Sequence, residues 1–320
     1  MSDGVPLEAF LSKNSHSVNI SWLITMKCNY DCWYCDSHGT FSNDYLYPID
    51  KYIEAISYLT TLWDESESKR LQITGGEPTL LKDWDRLLEI TSIDVEFLTN
   101  LSLPLKNLRQ KLSRFKNKKC ITVSYHPEFS DTDLIIEKIL FLKENGNLKD
   151  LKLLNDSKQP DKVNEAYNKF IKLGVPLFFT YLNNQTSSGK LIASNINIEN
   201  QHLSIDKSLI ELKYSDKTER VTLSTVYEKK LNKFKGMFCE LGQKYLWVHY
   251  NGDVYPSACT MNYPQLRLGN VYKKNVQLFT ESKQCPYDLC ACGWDLKIPK
   301  FSPKYLRSSK KSYNSLATLK

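Results

Sequence analysis

Val18-Asn-Ile-Ser-Trp-Leu-Ile-Thr-Met26 runs through Lys27 directly into Cys28-Asn-Tyr-Asp-Cys32-Trp-Tyr-Cys35. Val18, Ile20, Trp22, Ile24 and Met26 alternate with Asn19, Ser21 and Thr25, the two-residue period of a strand. The strand therefore delivers three cysteines at its carboxyl end. Outward from this junction the period changes and then repeats. Ile49, Tyr52, Ile53, Ile56, Leu59 and Trp63 are spaced as on a helix, with Pro48 near its start. Arg70 to Thr74 reads as a strand that stops at Gly75-Gly76. Helices are expected near Asp83 to Ile90, Leu105 to Phe115, Asp131 to Glu144 and Lys162 to Leu173. Strands are expected at Val95 to Thr99, Cys120 to Ser124, Asp150 to Leu154 and Val175 to Tyr181. Six strands separated by five helices imply right-handed βα units and a parallel sheet. Periodicity does not separate an open doubly wound sheet from a curved partial barrel. In both, ligands sit at the carboxyl ends of the strands.

The chain has 320 residues, of which 41% are hydrophobic and 25% charged, so it is neither wholly disordered nor fibrous. That length suits one large domain, or a medium one with a smaller companion. A net charge of +7, spread along the sequence, is too weak to mark a nucleic-acid binder. The first residues lack the pattern of a signal peptide, and no stretch approaches the ~18 apolar residues of a membrane span. A cytoplasmic location without a membrane partner is therefore expected. Thiols stay reduced there, and clustered cysteines point to metal or catalysis before disulfides. The nine cysteines are unevenly placed: three from Cys28 to Cys35, Cys120 alone, and five from Cys239 to Cys292. Cys120 opens a strand and reads as a buried structural thiol.

Three thiolates at spacings of four and three can converge on one iron–sulfur cluster from a single loop. Such clusters are normally held by four cysteines, so three leave one iron with an open position, the mark of a site that acts on a bound ligand. The competing reading is a zinc knuckle completed by His38. Gly75-Gly76-Glu77-Pro78 is the second motif: its glycines allow close backbone approach, and Glu77 offers a carboxylate to an amine. The competing reading is an ordinary strand-to-helix turn.

Taken together, CNYDCWYC and GGEP resemble the paired signatures of the radical S-adenosylmethionine (radical SAM) superfamily, over roughly residues 18 to 181. The resemblance implies an α/β fold, a partial (β/α)6 TIM-like barrel. It implies that Cys28, Cys32 and Cys35 are catalytic ligands of a [4Fe–4S] cluster whose open iron binds S-adenosylmethionine. Tyr34 would lie by the adenine, and Gly75, Gly76, Glu77 and Pro78 would receive the methionine amino group. The implied reaction is reductive cleavage to a 5′-deoxyadenosyl radical that abstracts a substrate hydrogen, with an electron donor such as flavodoxin or ferredoxin. Strand position, without a matched motif, adds Thr99, Asn100, Ser124 and His126; Asn100 and Ser124 are taken as cofactor contacts.

Beyond Tyr181 the alternation stops. Residues 183–238 read as a polar connection with weak helical patterning around Ser224 to Phe234. KYLWVHY, the turn Asn251-Gly252 and DVYP form a hairpin from Lys244. Cys239, this hairpin, Cys259, LGNV and the later cysteines resemble the SPASM/twitch extensions of radical SAM enzymes, which implies a small C-terminal cysteine-rich domain with one auxiliary [4Fe–4S] cluster. Cys239, Cys259, Cys290 and Cys292 are the expected ligands, with Cys285 as a substitute. Two features depart from that pattern: six residues separate Gly252 from Cys259 where the family has four, and Cys285-x4-Cys290-x-Cys292 is incomplete. A structural zinc site on the same thiols is the alternative. The expected organisation is a core over 1–182, a connector over 183–238, the auxiliary domain over 239–300 and a basic tail over 301–320. The substrate is expected to be a small molecule or a peptide side chain. A tRNA-modifying radical enzyme and a non-catalytic zinc or iron–sulfur module are the readings weighed against it.

Overall fold

Six parallel strands in sequence order carry the molecule: β2 (Val18–Thr25), β3 (Lys69–Gly75), β4 (Asp94–Thr99), β5 (Ile121–Tyr125), β6 (Leu148–Asn155) and β7 (Leu177–Tyr181). The computed structural model describes residues 6–11, 16–35, 47–156, 158–181, 209–222, 225–226, 229–261, 263–285, 287–290 and 295–303. All six strands lie where the alternation places them. Helices α1 (Ile49–Thr60), α2 (Leu105–Leu112), α3 (Thr132–Glu144) and α4 (Pro160–Phe170) connect them. The stretch read as a helix near Asp83 to Ile90 is a 3-10 turn, Trp84–Glu89, too short to nucleate an α-helix and pinned by Trp84 against Phe97. No helix among the described residues is long and apolar enough to cross a membrane.

Apolar residues at alternate strand positions face the helices. Val18, Ile20, Trp22 and Ile24 of β2, Leu71 and Ile73 of β3, and Leu151 and Leu153 of β6 pack with the helices in one continuous core. The alternate residues, including Arg70, Gln72, Glu96, Asp150 and Lys152, therefore face the inside of the sheet's curve. Glu96 is nearly fully buried there, and it accepts from Gln72 Nε2 at 2.7 Å and pairs with both Arg70 and Lys149. Lys149 reaches this face because the β5–β6 register shifts between Ile121 and Thr122.

The hairpin does not stand apart from the core. β11 (Tyr245–Val248) pairs parallel with β2, and β12 (Asp253–Tyr255) and β13 (Gly269–Asn270) follow antiparallel. They extend the arc to nine strands, because Leu246, Val248 and Val254 share its apolar core. A second sheet joins segments from near the two ends of the chain. β1 (Glu8–Leu11) lies between β8 (Leu209–Lys213) and β15 (Lys300–Phe301). β9 (Thr218–Thr222) flanks β8, while β10 (Phe238–Cys239) and β14 (Lys283–Gln284) continue beyond β15. The segment before Val18 thus contains a strand beyond the six expected, and the stretch expected as a basic tail over 301–320 begins at Phe301 inside a sheet, next to Lys300, which is 1% exposed. The helix read around Ser224 to Phe234 shows helical backbone only at Thr225 and Val226 among its described residues, and Lys230 at φ 52° is incompatible with its continuation.

Burial opposes ionisation of Glu96, but the Arg70 and Lys149 charges and hydrogen bonds win and hold its carboxyl at about 2. A carboxyl depressed from 4.5 contributes stability that is full above about pH 4.5 and is lost as pH falls toward 2. Glu96→Gln should cost roughly 3–5 kcal/mol at pH 7, by leaving buried cations unpaired. Urea unfolding at pH 7 and pH 3 should show the gap from wild type narrowing at the lower pH.

Candidate catalytic site

The loop after β2 is fastened to the end of β3 by backbone alone. Gly76 N donates to Thr25 O at 2.7 Å and Glu77 N to Lys27 O at 2.7 Å. A side chain on either glycine would collide with that backbone: a Cβ would lie 2.4 Å from Thr25 O at Gly75 and 2.2 Å from Lys27 O at Gly76. Gly75 also has φ 155°. The glycine pair thus lets two strand ends approach each other, beside Cys28.

Glu77 is fully buried and its carboxylate faces inward. One oxygen accepts from Thr79 N at 2.9 Å, from Thr99 Oγ1 at 2.7 Å and from the Thr79 hydroxyl; the other accepts from Asn100 N at 2.7 Å. Burial pushes this carboxyl up, against hydrogen bonds that favour the ionised form. Four donors on this carboxylate join β3 to β4, three of them on one oxygen and a single one on the other. What the motif leaves open is the Gly76 carbonyl, which accepts no hydrogen bond among the described residues. Pro78 opens a 3-10 turn, Pro78–Leu80, capped by Glu77, so the turn reading of GGEP holds as well.

Other strand ends converge on the cysteine loop. Asn100 Nδ2 donates to Asn29 Oδ1 at 3.0 Å and lies 4.0 Å from Cys28 Sγ. His126 Nδ1 is 3.3 Å from Cys32 Sγ and 2.9 Å from the Tyr34 hydroxyl, and its ring stacks on Tyr34 at 13°. Burial holds this imidazole neutral, down to about 4. Tyr30 lies edge-on to His126 and stacks on Phe129 at 4.9 Å. Trp33 Nε1 donates to Asp156 at 3.4 Å, and Lys158 Nζ sits 3.9 Å over the Trp33 ring. Ser124 is buried on β5, opposite Lys152 of β6, without a hydrogen bond to the loop among the described residues. Sequence reasoning misses Asn29, Tyr30, Phe129 and Asp156. The one usable signal is Asn155-Asp156, a polar pair ending β6 as Thr99-Asn100 ends β4.

The three thiols suit a soft metal centre. Burial raises Cys28 and carries Cys32 to about 12, helped by the fields of the neighbouring cysteines. Without a metal Cys28 and Cys32 stay protonated, and a coordinated metal would ionise a thiol ligand outright. Among the described residues no three cysteine, histidine or carboxylate side chains are gathered closely enough to hold an ion as they stand. His38, the alternative zinc ligand, and Cys292 lie outside the described residues.

A second thiol group lies on and around the other sheet. Cys239 is on β10, Cys259 in the 3-10 turn Ala258–Thr260, Cys285 just after β14, and Cys290 is hydrogen-bonded to Asn232 through Cys290 N at 2.9 Å. Buried Asp295 accepts from Cys259 N at 2.8 Å and Ala258 N at 3.2 Å. Lys300 donates to the carbonyls of Asp295 at 2.7 Å and Ile298 at 2.8 Å. Burial disfavours its charge, yet Cys290, Cys239, Asp295 and Cys285 hold its ammonium above the ordinary lysine value. A buried cation among thiols is the surrounding that a thiolate-ligated centre requires.

Fold and site together define a partial β/α barrel with a thiol-bearing cofactor loop at its ligand-binding end. The radical SAM superfamily profile matches residues 22–186, a little over half of the sequence, and the chain belongs to this superfamily. Its members bind a [4Fe–4S] cluster and S-adenosylmethionine. The chain is 32% identical over 127 residues to 7-carboxy-7-deazaguanine synthase of Clostridium acetobutylicum, covering 37% of this chain and 54% of that protein. It is 30% identical over 96 residues to GTP 3′,8-cyclase of Staphylococcus saprophyticus, covering 28% of each. It thus spans about half, or less, of the relatives it matches. Among solved structures, a hexahistidine-tagged anSMEcpe with bound AdoMet shares the fold, with a TM-score of 0.51 at 16% identity over 80% of this chain and 75% of that one.

Gly76→Ala should force the Cys28 loop away from β3, since backbone at 2.2 Å cannot yield cheaply. Circular dichroism should stay close to wild type, while iron retained after anaerobic reconstitution should fall by about four per chain, one [4Fe–4S] complement.

Proposed function

We propose that this protein reductively cleaves S-adenosylmethionine and abstracts a hydrogen from a small molecule or a peptide side chain held inside the barrel. The observation that carries the reading is convergence. Backbone bonds from Gly76 and Glu77, Asn100 beside Cys28, and His126 between Cys32 and Tyr34 all organise one three-cysteine loop. In this reading Cys28, Cys32 and Cys35 are the cluster ligands. Gly75, Gly76, Glu77 and Pro78 form the shelf for the methionine amino group, through backbone oxygen. Tyr34, Asn100 and Ser124 line the nucleoside side. When bound, the cluster and S-adenosylmethionine supply a 5′-deoxyadenosyl radical from one electron donated by a carrier such as flavodoxin or ferredoxin. The chain's own groups do the rest: His126, neutral, orients Tyr34 and Cys32, and Tyr30 with Phe129 shields the loop from water.

Cys239, Cys259, Cys290 and Cys292, with Cys285 in reserve, are proposed to hold an auxiliary [4Fe–4S] cluster in a twitch-like unit. Buried Lys300 and Asp295 support this, as counter-charge and backbone anchor.

Anaerobically reconstituted wild type should contain about eight irons with matching sulfide, and the Cys28→Ser/Cys32→Ser/Cys35→Ser variant about four. Wild type reduced with dithionite should form 5′-deoxyadenosine, and the triple variant should form none above background. Zinc alone in the wild type, or nucleoside formation by the triple variant, would sink the proposal.

A further inference from the structure

His126 stands at the corner between β5 and α3, where the cysteine loop meets the sheet. Its backbone closes that corner: the carbonyl accepts from Phe129 N at 3.1 Å and Ser130 N at 2.9 Å, and His126 N donates to Ser130 Oγ at 3.4 Å. Tyr30 lies edge-on to the imidazole with ring centres 5.6 Å apart, and Phe129 stacks on Tyr30 at 4.9 Å. Phe129 is 37% exposed, a large apolar ring kept at the surface by its stack on the loop. The imidazole is thereby fixed, and its Nδ1 meets two groups of the loop, Cys32 Sγ at 3.3 Å and the Tyr34 hydroxyl at 2.9 Å. Nε2 makes no hydrogen bond among the described residues, so no protein acceptor holds a hydrogen there. A neutral imidazole carries one N–H, and the nitrogen that bears it follows from the partner of each.

The state of Cys32 decides the direction of its contact. A thiol can donate to Nδ1, but a metal-ligating cysteine has lost its proton and can only accept. With Cys32 as a ligand, the 3.3 Å contact survives as a hydrogen bond only if the imidazole hydrogen sits on Nδ1. Hydrogen bonds to a ligating sulfur draw electron density from it and favour the reduced cluster. We infer that His126 is a positioning residue of the catalytic centre: its Nδ1–H donates to the Cys32 thiolate, beside the Tyr34 hydroxyl, and raises the potential at which the cluster takes up its electron. The inference rests on the proposed function, which makes Cys32 a cluster ligand. A weak N–H···S bond needs shelter from competing water, and Tyr30 with Phe129 provides it by covering the ring. The sequence places His126 at a strand end and no more; its role as a donor follows from the geometry of the loop.

The test is a redox titration of the full-length, anaerobically reconstituted protein, followed by electron paramagnetic resonance. The signal to read is the one that changes when S-adenosylmethionine is added, since it belongs to the cluster with the open iron. In His126→Leu the ratio of reduced to oxidised cluster at the wild-type midpoint should fall about tenfold, a shift of about 59 mV to lower potential for one electron. His126→Asn, whose amide nitrogen reaches the place of Nδ1, should recover most of that loss, which a merely space-filling role would not allow. A second readout needs no variant. Wild type labelled isotopically at its histidine nitrogens should show a weak hyperfine coupling in the same signal, as transmitted through a hydrogen bond. This coupling decides the matter alone if His126→Leu does not retain iron. An equal midpoint in iron-loaded His126→Leu, no histidine coupling in wild type, or the strong coupling of an imidazole bound directly to iron would overturn the inference. Absence of any signal that responds to S-adenosylmethionine would remove the radical SAM reading first and this inference with it, so the two failures are told apart.

Discussion

Everything at the ligand end of this barrel hangs on how the end of β3 meets its neighbours. Gly75 and Gly76 allow the chain to lie against Thr25 and Lys27, and the Glu77 carboxylate then reaches across to Thr99 and Asn100. One four-residue segment therefore sets the spacing of β2, β3 and β4 at once. The cost is a buried carboxylate, which is tolerable because each oxygen is hydrogen-bonded. The consequence is that Cys28 and Asn100, 72 residues apart in sequence, face each other across a fixed gap. A pre-set loop matters for a cofactor site, since ordering it only on binding would consume affinity.

The same constraint divides the labour within each strand. Apolar residues on the outer face meet the helices, and the inner face is left to polar groups and to ligands. Glu96, with Arg70, Gln72 and Lys149, closes one part of that interior as a hydrogen-bonded network.

The β/α alternation is legible because it is local: period two against period three to four, punctuated by Pro48 and Gly75-Gly76. The cysteine spacing is legible for the same reason, as it sits within eight residues. What escapes depends on partners distant in sequence. Glu8–Leu11 is only four residues long, and its strand neighbours are about 200 and 290 positions away. β11 looks like half of a hairpin and is one, yet its second edge belongs to β2, a pairing that no local pattern announces. Asn29 and Asp156 look like turn residues until Asn100 and Trp33 are placed against them. Glu77 stands at the strand end where the motif places it, and its buried carboxylate also ties β3 to β4, a role the motif alone does not announce.

The segment Asp295-Leu-Lys-Ile-Pro-Lys300 ties these levels together. Its Asp295 anchors the Cys259 turn, and Lys300 is buried and donates back to the carbonyls of Asp295 and Ile298. β15, which begins at Lys300, then runs between β1 and β10 and fixes that stretch from both sides. A slip of β15 by one residue would turn the Lys300 ammonium away from the Asp295 and Ile298 carbonyls that it binds. The sheet pairing at Lys300 and Phe301 is what prevents such a slip, because a one-residue change of register reverses every side chain. The second sheet therefore holds Cys239, Lys300 and, through Asp295, the Cys259 turn on a common frame, beyond any role in simply joining distant segments of the chain.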